Sequence, residues 1–268
     1  EIEIILVDNN STDNTVKIAK RFPIKKLINI QNFLPGKALN DGIRESTGNY
    51  IVCVSAHCIP EKENWLQKLL VNYDNNQKLA GVYGRQLPLS FTDPIDKRDL
   101  LIVFGQDKRV QKKDYFFHNA NSMIPRTVWE DFPFDETVTN IEDRVWGKKV
   151  IEAGYEIIYE PEASVFHYHG LHQGNDNMRA SGVVSILEKV DSNIINELPN
   201  NLKPENINVA AIIPIMNDQL SNNEQYNQFE KTILDLKNSL FVNSIYCLIK
   251  DEHIPNSLEL NWLNREMI

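Results

Sequence analysis

Residues 2–22 read IEIILVDNNSTDNTVKIAKRF. A β-branched apolar run over 2–7 stops at the turn cluster Asp8-Asn9-Asn10-Ser11. A helical pattern follows over Thr15–Phe22, with Ser11 or Thr12 as its expected cap. The next stretch repeats this order. LINI (27–30) gives a strand, the loop QNFLPGK follows, and a helix is expected over 38–46, with Gly48 just past its end. Then comes YIVCVSA (50–56), nearly all apolar and too short for a helix, which is how a strand buried on both faces reads. Strand alternating with helix predicts a parallel sheet with right-handed crossovers. Ligands of such sheets sit beyond the carboxyl ends of the strands. The polar clusters Asp8–Thr12 and Ser55–His57 both fall at that edge.

Further along, a helix is expected over 65–72 and an amphipathic helix over 141–154. YEIIYEP and ASVFHYHG read as two short strands, and 175–189 reads as helical. Residues 81–118 read as a flexible loop. They hold GVYGRQLPLS, a Pro/Asp stretch and the cations Lys108, Arg109, Lys112 and Lys113. From Asp191 to Asn208 the composition shifts to Asn, Pro, Glu and Lys, as a linker does. VAAIIPI then opens a second strand–loop–helix–strand unit that ends in SIYCLIK. The expected organisation is a main domain over 1–190, a linker over 191–207 and a partial α/β unit over 208–268. The chain starts at Glu1 inside what reads as a strand, so an excised piece of a longer protein is expected.

The charge narrows the partners. With 28 Lys+Arg against 37 Asp+Glu the 268-residue chain carries −9. It has no cationic excess to neutralise nucleic-acid phosphates, and its field opposes a generic anionic membrane. Hydrophobic residues at 42% and charged residues at 24% are ordinary for a globular protein. Cys53, Cys58 and Cys247 form an odd, sparse set with no C-x-x-C, which suits a reducing, cytoplasmic setting. No apolar run approaches the roughly 18 residues of a membrane span.

Five clusters can carry chemistry, and each has a plainer reading. Asp8 ends a buried strand and can accept from a nucleobase or a ribose hydroxyl; it also suits a self-bonded turn. His57, at the end of YIVCV, suits a divalent cation or a solvent-facing imidazole. His167 and His169 are two apart, so on a strand they share one face, as a ligand pair or as an exposed pair. Glu142 and Asp143 open a helix, where acids are favoured by the dipole and where one can serve as a general base. HNANSMIPR (118–126) sets small and amide residues before an apolar strand. That suits a polyhydroxylated ligand or an ordinary loop.

In this order and at these separations the clusters resemble the inverting family 2 glycosyltransferases, which have the nucleotide-diphospho-sugar transferase (GT-A) fold. The segments that carry the resemblance are VDNNSTDNT, PGKALNDGIRESTGNYI, NANSMIPRTVWEDFPFDE, IEDRVWGKKVIEAGYEI and the downstream His-x-His; together they span residues 1–175. The resemblance implies a Rossmann-like α/β fold with a mostly parallel central sheet. It implies transfer of a sugar from a nucleotide-diphosphate donor to a hydroxyl acceptor, saccharide or lipid-linked, in bacterial surface polysaccharide synthesis. The setting it implies is cytoplasmic, extending to the inner face of the plasma membrane.

Roles follow from the same likeness. Asp8, Asn10, Lys37 and Ser55 are expected on the donor side. Asn119, Asn121 and Glu142 are expected on the acceptor side. Asp143 is the expected base, and His57, His167 and His169 are expected to hold Mn²⁺ or Mg²⁺. Two departures stand out. The family's first strand should precede Glu1, and Ser55-Ala56-His57 occupies the place of the Asp-x-Asp motif. His57 keeps a metal-binding group there, while Ser55 loses the carboxylate. A second expectation is therefore a non-catalytic nucleotide- or glycan-binding domain with a degenerate motif. The tail weakly resembles the start of sugar-activating cytidylyltransferases, without their Gly/Lys/Arg-rich phosphate loop.

Overall fold

A computed structural model describes residues 2–74, 76–168, 177–191, 209–215, 223–239 and 242–249. The chain divides into two units, 1–194 and 195–268.

In the first unit, β1 (Ile5–Asp8) pairs in parallel with β2 (Lys26–Asn29) across the short helix α1 (Thr15–Ala19). The cap of α1 differs from expectation. Asn14 holds the capping position, the Asp13 carboxylate takes the Thr15 N–H at 2.9 Å, and Ser11 bonds back to Asp8 instead. Helix α2 (Pro35–Arg44) starts three residues earlier than read, because a proline at the first turn fits a helix start. Next, β3 (Tyr50–Val54) does not extend the β1–β2 pair. It runs antiparallel to β7 (Asn121–Pro125), with Cys53 opposite Ser122.

The six-stranded sheet runs β3-β7-β5-β8-β4, with β6 (Arg109–Gln111) also paired to β8. It is mixed. Its longest ladder, β5 (Leu79–Pro88) on β8 (Glu156–His167), is parallel, and the shorter pairings of β3, β4 (Cys58–Pro60), β6 and β7 are antiparallel. Two expectations are corrected here. The stretch 81–118 is not a loop: it supplies most of β5, the helix α4 (Pro94–Val103) and β6. YEIIYEP and ASVFHYHG are not separate strands, since β8 runs through both. The ladder slips between Gly84 and Gln86, so Glu160-Pro161-Glu162 bridges one strand rather than ending it.

Helices cover both faces. On one side Ile43 of α2, Leu100 of α4, Trp129 of α5 (Arg126–Asp131) and Trp146 and Val150 of α6 (Glu142–Glu152) bury against Tyr83, Ile124, Ile157 and Tyr159. On the other, Trp65 and Leu69 of α3 (Trp65–Leu70) cover Val82, Met123, Ile158 and Val165. A strand buried on both faces favours an unbroken apolar run, as β5 has from Leu79 to Gly84, whereas β7 buries the polar Asn121 and Ser122 ahead of Met123 and Ile124. Helix α7 (Asn177–Asp191) follows, and Lys148 of α6 bonds the carbonyl of its Val190.

The second unit has β9 (Val209–Ile215), α8 (Asn223–Lys237) and β10 (Val242–Ile249), a parallel strand–helix–strand piece. The missing phosphate loop expected at Met216–Asp218, and the linker over 192–207, lie outside the described residues. Among the described residues no helix is long and apolar enough to cross a membrane.

Candidate active site

Two strand ends and a tight turn gather the imidazoles. After β3, the Ser55 N–H donates to the Ala120 carbonyl at 3.2 Å, and the Cys58 N–H donates to the Ser55 carbonyl at 2.9 Å. This turn reverses the chain into β4 and leaves His57 exposed at its tip. Because β4 runs antiparallel to the end of β8, Cys58 lies opposite His167 and brings His57 alongside. The two rings have centroids 4.8 Å apart and are tilted by 32°. His167 is buried, at 2% exposure. A third imidazole, His118, stands 6.3 Å from His167, centroid to centroid. The sequence assigns His118 no role, because one isolated histidine has no ligand spacing to mark it.

His118 links the imidazoles to the acids. Its Nδ1 accepts from the Ala120 N–H at 3.3 Å and lies 4.0 Å from Asp143 Oδ2. Asp143 and Glu142 open α6 and are both buried. The residue before them, Ile141, holds φ 51°, ψ 33°. That is the left-handed region, which costs a β-branched residue on the order of 1–3 kcal/mol. The sharp redirection delivers both carboxylates inward at a helix N-terminus, whose dipole favours negative charge.

Asn119 engages both acids. Its backbone N–H donates to Asp143 Oδ2 and its side-chain Nδ2 donates to Glu142 Oε1, each at 3.1 Å. Burial, and then the neighbouring Asp143 charge, push the Glu142 carboxyl up to about 8; the Asn119 hydrogen bond and the charge of Arg179 on α7 oppose this. Arg144 follows the pair and stacks on Phe116 at 4.5 Å, its guanidinium held below its ordinary value by burial.

The remaining expected residues divide. Asp8 ends β1 buried, and both of its oxygens accept from Ser11, from N–H at 3.0 Å and from Oγ–H at 2.5 Å. Asn10 beside it sits at φ 53°. Lys37 lies in the first turn of α2 rather than in a loop and pairs with Asp41 at 2.6 Å. Among the described residues, Asp8, Asn10 and Lys37 share no hydrogen bond or ion pair with the His57–Asp143 cluster. His169 lies outside the described residues.

The two asparagines expected on the acceptor side make different contacts. Asn121 is fully buried; it accepts from Trp65 Nε1–H at 2.8 Å and donates to the carbonyls of Arg85 at 3.3 Å and Ala163 at 2.7 Å. It is a strut across the sheet, with no amide hydrogen left for an acceptor. The Asn119 amide donates one hydrogen to Glu142 and accepts from Ser122 inside the protein.

The imidazoles of His57 and His167 stand side by side, the side-chain type that suits a divalent cation. Among the described residues no group of three His, Cys, Asp or Glu is arranged to hold an ion by itself.

Known proteins share this architecture. Residues 1–132 match the family model for Glycosyl transferase family 2. The O-antigen chain rhamnosyltransferase WbaN of Salmonella anatum is 28% identical over 179 residues, 62% of this chain and 56% of the relative. The poly-beta-1,6-N-acetyl-D-glucosamine synthase of Staphylococcus epidermidis is 25% identical over 173 residues, 61% of this chain and 42% of the relative. The chain thus spans about half the length of the curated relatives it matches. Among solved structures, mannosyltransferase PcManGT from Pyrobaculum calidifontis, in complex with GDP-Man and Mn²⁺, gives a TM-score of 0.52 at 21% identity, covering 75% of this chain and 58% of that one. S. aureus TarS, residues 1–349, gives 0.50 at 13% identity, covering 75% and 57%. The fold is that of these solved glycosyltransferases.

Proposed function

We propose that this chain is an inverting glycosyltransferase that moves a sugar from a nucleotide-diphosphate donor to a hydroxyl acceptor in bacterial surface polysaccharide synthesis. One observation carries the reading. A continuous cluster runs from His57 through His167 and His118 to Asp143, with spacings of 4.8, 6.3 and 4.0 Å. Groups fit to hold a cation and a group fit to take a proton therefore share one site, although 86 residues separate His57 from Asp143 (143 − 57). The relatives named for O-antigen and poly-N-acetylglucosamine synthesis support the pathway class, and the neighbour bound to GDP-Man and Mn²⁺ supports the donor class.

On this reading Asp143 removes the acceptor proton as its oxygen attacks the anomeric carbon, and the nucleoside diphosphate departs from the opposite face. No covalent intermediate with the enzyme is required, and the configuration inverts. Burial raises the Glu142 carboxyl to about 8, which favours its protonated form at neutral pH. Asp8, Asn10, Lys37 and Ser55 line the donor side. His57 and His167, with His169, would hold Mn²⁺ or Mg²⁺, which when bound neutralises charge on the departing diphosphate. The partial second unit, 208–268, is read as nucleotidyltransferase-like from the weak resemblance of its opening sequence alone.

The test is sugar transfer from a panel of nucleotide-diphosphate sugars by the full chain, with and without Mn²⁺, against Asp143→Asn. Loss of a general base costs about 10²–10⁴ in rate, while nucleotide binding by calorimetry should persist. Retained transfer in Asp143→Asn removes Asp143 as the base. Nucleotide binding with no transfer under any divalent ion would instead make this a binding domain, as the Ser55 substitution allows.

A further inference from the structure

Resting on the transferase reading, we infer that Asn119 and Ser122 are positioning residues: a buried hydrogen bond from Ser122 orients the Asn119 amide so that one residue holds both acids of the pair. Ser122 stands opposite Cys53 in the β3–β7 ladder. The Ser122 hydroxyl has one hydrogen, which goes to Asn119 Oδ1 at 3.1 Å. With Oδ1 fixed there, Nδ2 must point the other way, and it meets Glu142 Oε1 at 3.1 Å. The backbone N–H of the same residue holds Asp143 Oδ2.

Ser122 is fully buried, so it reaches substrate only through Asn119. This supplies a signature that a merely structural role would not produce. In the full chain, Asn119→Ala should lower kcat about 10- to 100-fold, and Ser122→Ala about 3- to 10-fold, with donor and acceptor KM values held within about threefold. The double variant should be no slower than Asn119→Ala alone, because residues acting through one another are not additive. Losses that multiply, or that fall on KM, overturn the inference.

A second readout needs no turnover. The infrared carboxyl band of Glu142, assigned by difference from Glu142→Gln, should titrate at higher pH in Asn119→Ala, since the lost bond favoured the carboxylate. The other groups facing Glu142 are Asp143, Arg179 on α7 and Cys53 on β3, and all are unchanged in that variant. Asn119→Ser, which keeps a small polar group, serves if the alanine variant does not fold. An unmoved band overturns the inference even when the wild type transfers sugar. A moved band in a wild type that transfers nothing upholds the positioning and ends the transferase reading instead.

Discussion

Gly147 of α6 ties the stability of the fold to the geometry of the acid pair. An added Cβ there would stand 2.2 Å from the Tyr115 carbonyl oxygen, 3.2 Å from its carbon and 3.5 Å from Ile157 Cδ1. Ordinary contact begins at 3.4 Å, so helix and strand-lead must part by 3.4 − 2.2 = 1.2 Å. The obstacle is backbone and cannot swing aside. Asp143 sits four residues earlier, on the same helix face. A shift of that size would stretch its 3.1 Å bond from Asn119 N–H past hydrogen-bond range. Overpacking costs about 1–3 kcal/mol and the lost charged bond about 1.5–3, offset by about 1 for the better helix former. The net loss for Gly147→Ala is about 1.5–5 kcal/mol, or a Tm lower by roughly 3–20 °C for a unit of this size. Transfer should fall about 10²-fold, as a 1 Å misplacement does. Thermal denaturation with initial-rate assays measures both. A variant that melts at or above the wild-type temperature refutes the packing argument.

Three further outcomes are expected. Glu142 titrates near 8 when folded against 4.5 ordinarily, so the native state keeps a proton that the unfolded chain releases, and stability falls as pH rises through that window. The Tm advantage of Glu142→Gln over wild type should therefore grow from pH 4.5 to 8 and then level off; a pH-independent difference contradicts the assignment. Asn40, nearly fully buried, donates to the Phe134 carbonyl and to Glu136, and accepts from Trp129 Nε1–H and the Phe134 N–H. Asn40→Ala orphans these partners and should cost about 2–4 kcal/mol in urea denaturation; a loss below about 1 would show that water replaces the amide. His57→Ala should raise the Mn²⁺ concentration needed to stabilise a nucleoside-diphosphate complex at least tenfold by thermal shift, and an unchanged titration removes His57 as a ligand.

Where local chemistry decides structure, the chain was readable. The run 2–7 into Asp8–Ser11, the apolar 50–54 and the helix from Glu142 are all seen near where composition and periodicity put them. The strand β5 was not readable, because GVYGRQLP looks like turn punctuation. Its glycines answer to distant neighbours. A Cβ at Gly81 would meet Phe117 and Trp146, and one at Gly84 would meet the Ala163 carbonyl at 2.0 Å. Such contacts are made across the sheet, so no local pattern records why glycine is needed. His118 was missed for the same reason. Its meaning comes from Asp143, 25 residues on (143 − 118), across a helix–sheet contact. Asn119 and Asn121 look equivalent in HNANS, yet 119 precedes β7 and turns to α6 while 121 lies within the strand and braces it.

The site exists where regular structure gives way. The Ser55–Cys58 turn aims His57, the left-handed Ile141 aims the acids, and the β5–β8 slip aims His167. The slip is informative because its parity is odd. Gly84 pairs with Glu160 and Gln86 with Val165, so the offset between the strands changes from 76 to 79, a gain of three residues (79 − 76). Side chains alternate faces along a strand, so an odd insertion reverses which face every later residue presents. An unbroken ladder would therefore carry His167 on the opposite face, away from His57 and His118. Each irregularity weakens local pairing or strains the backbone, and each is set against a side chain in the cluster. Defects that converge on one cluster are better explained by what they bring together than by the packing they interrupt.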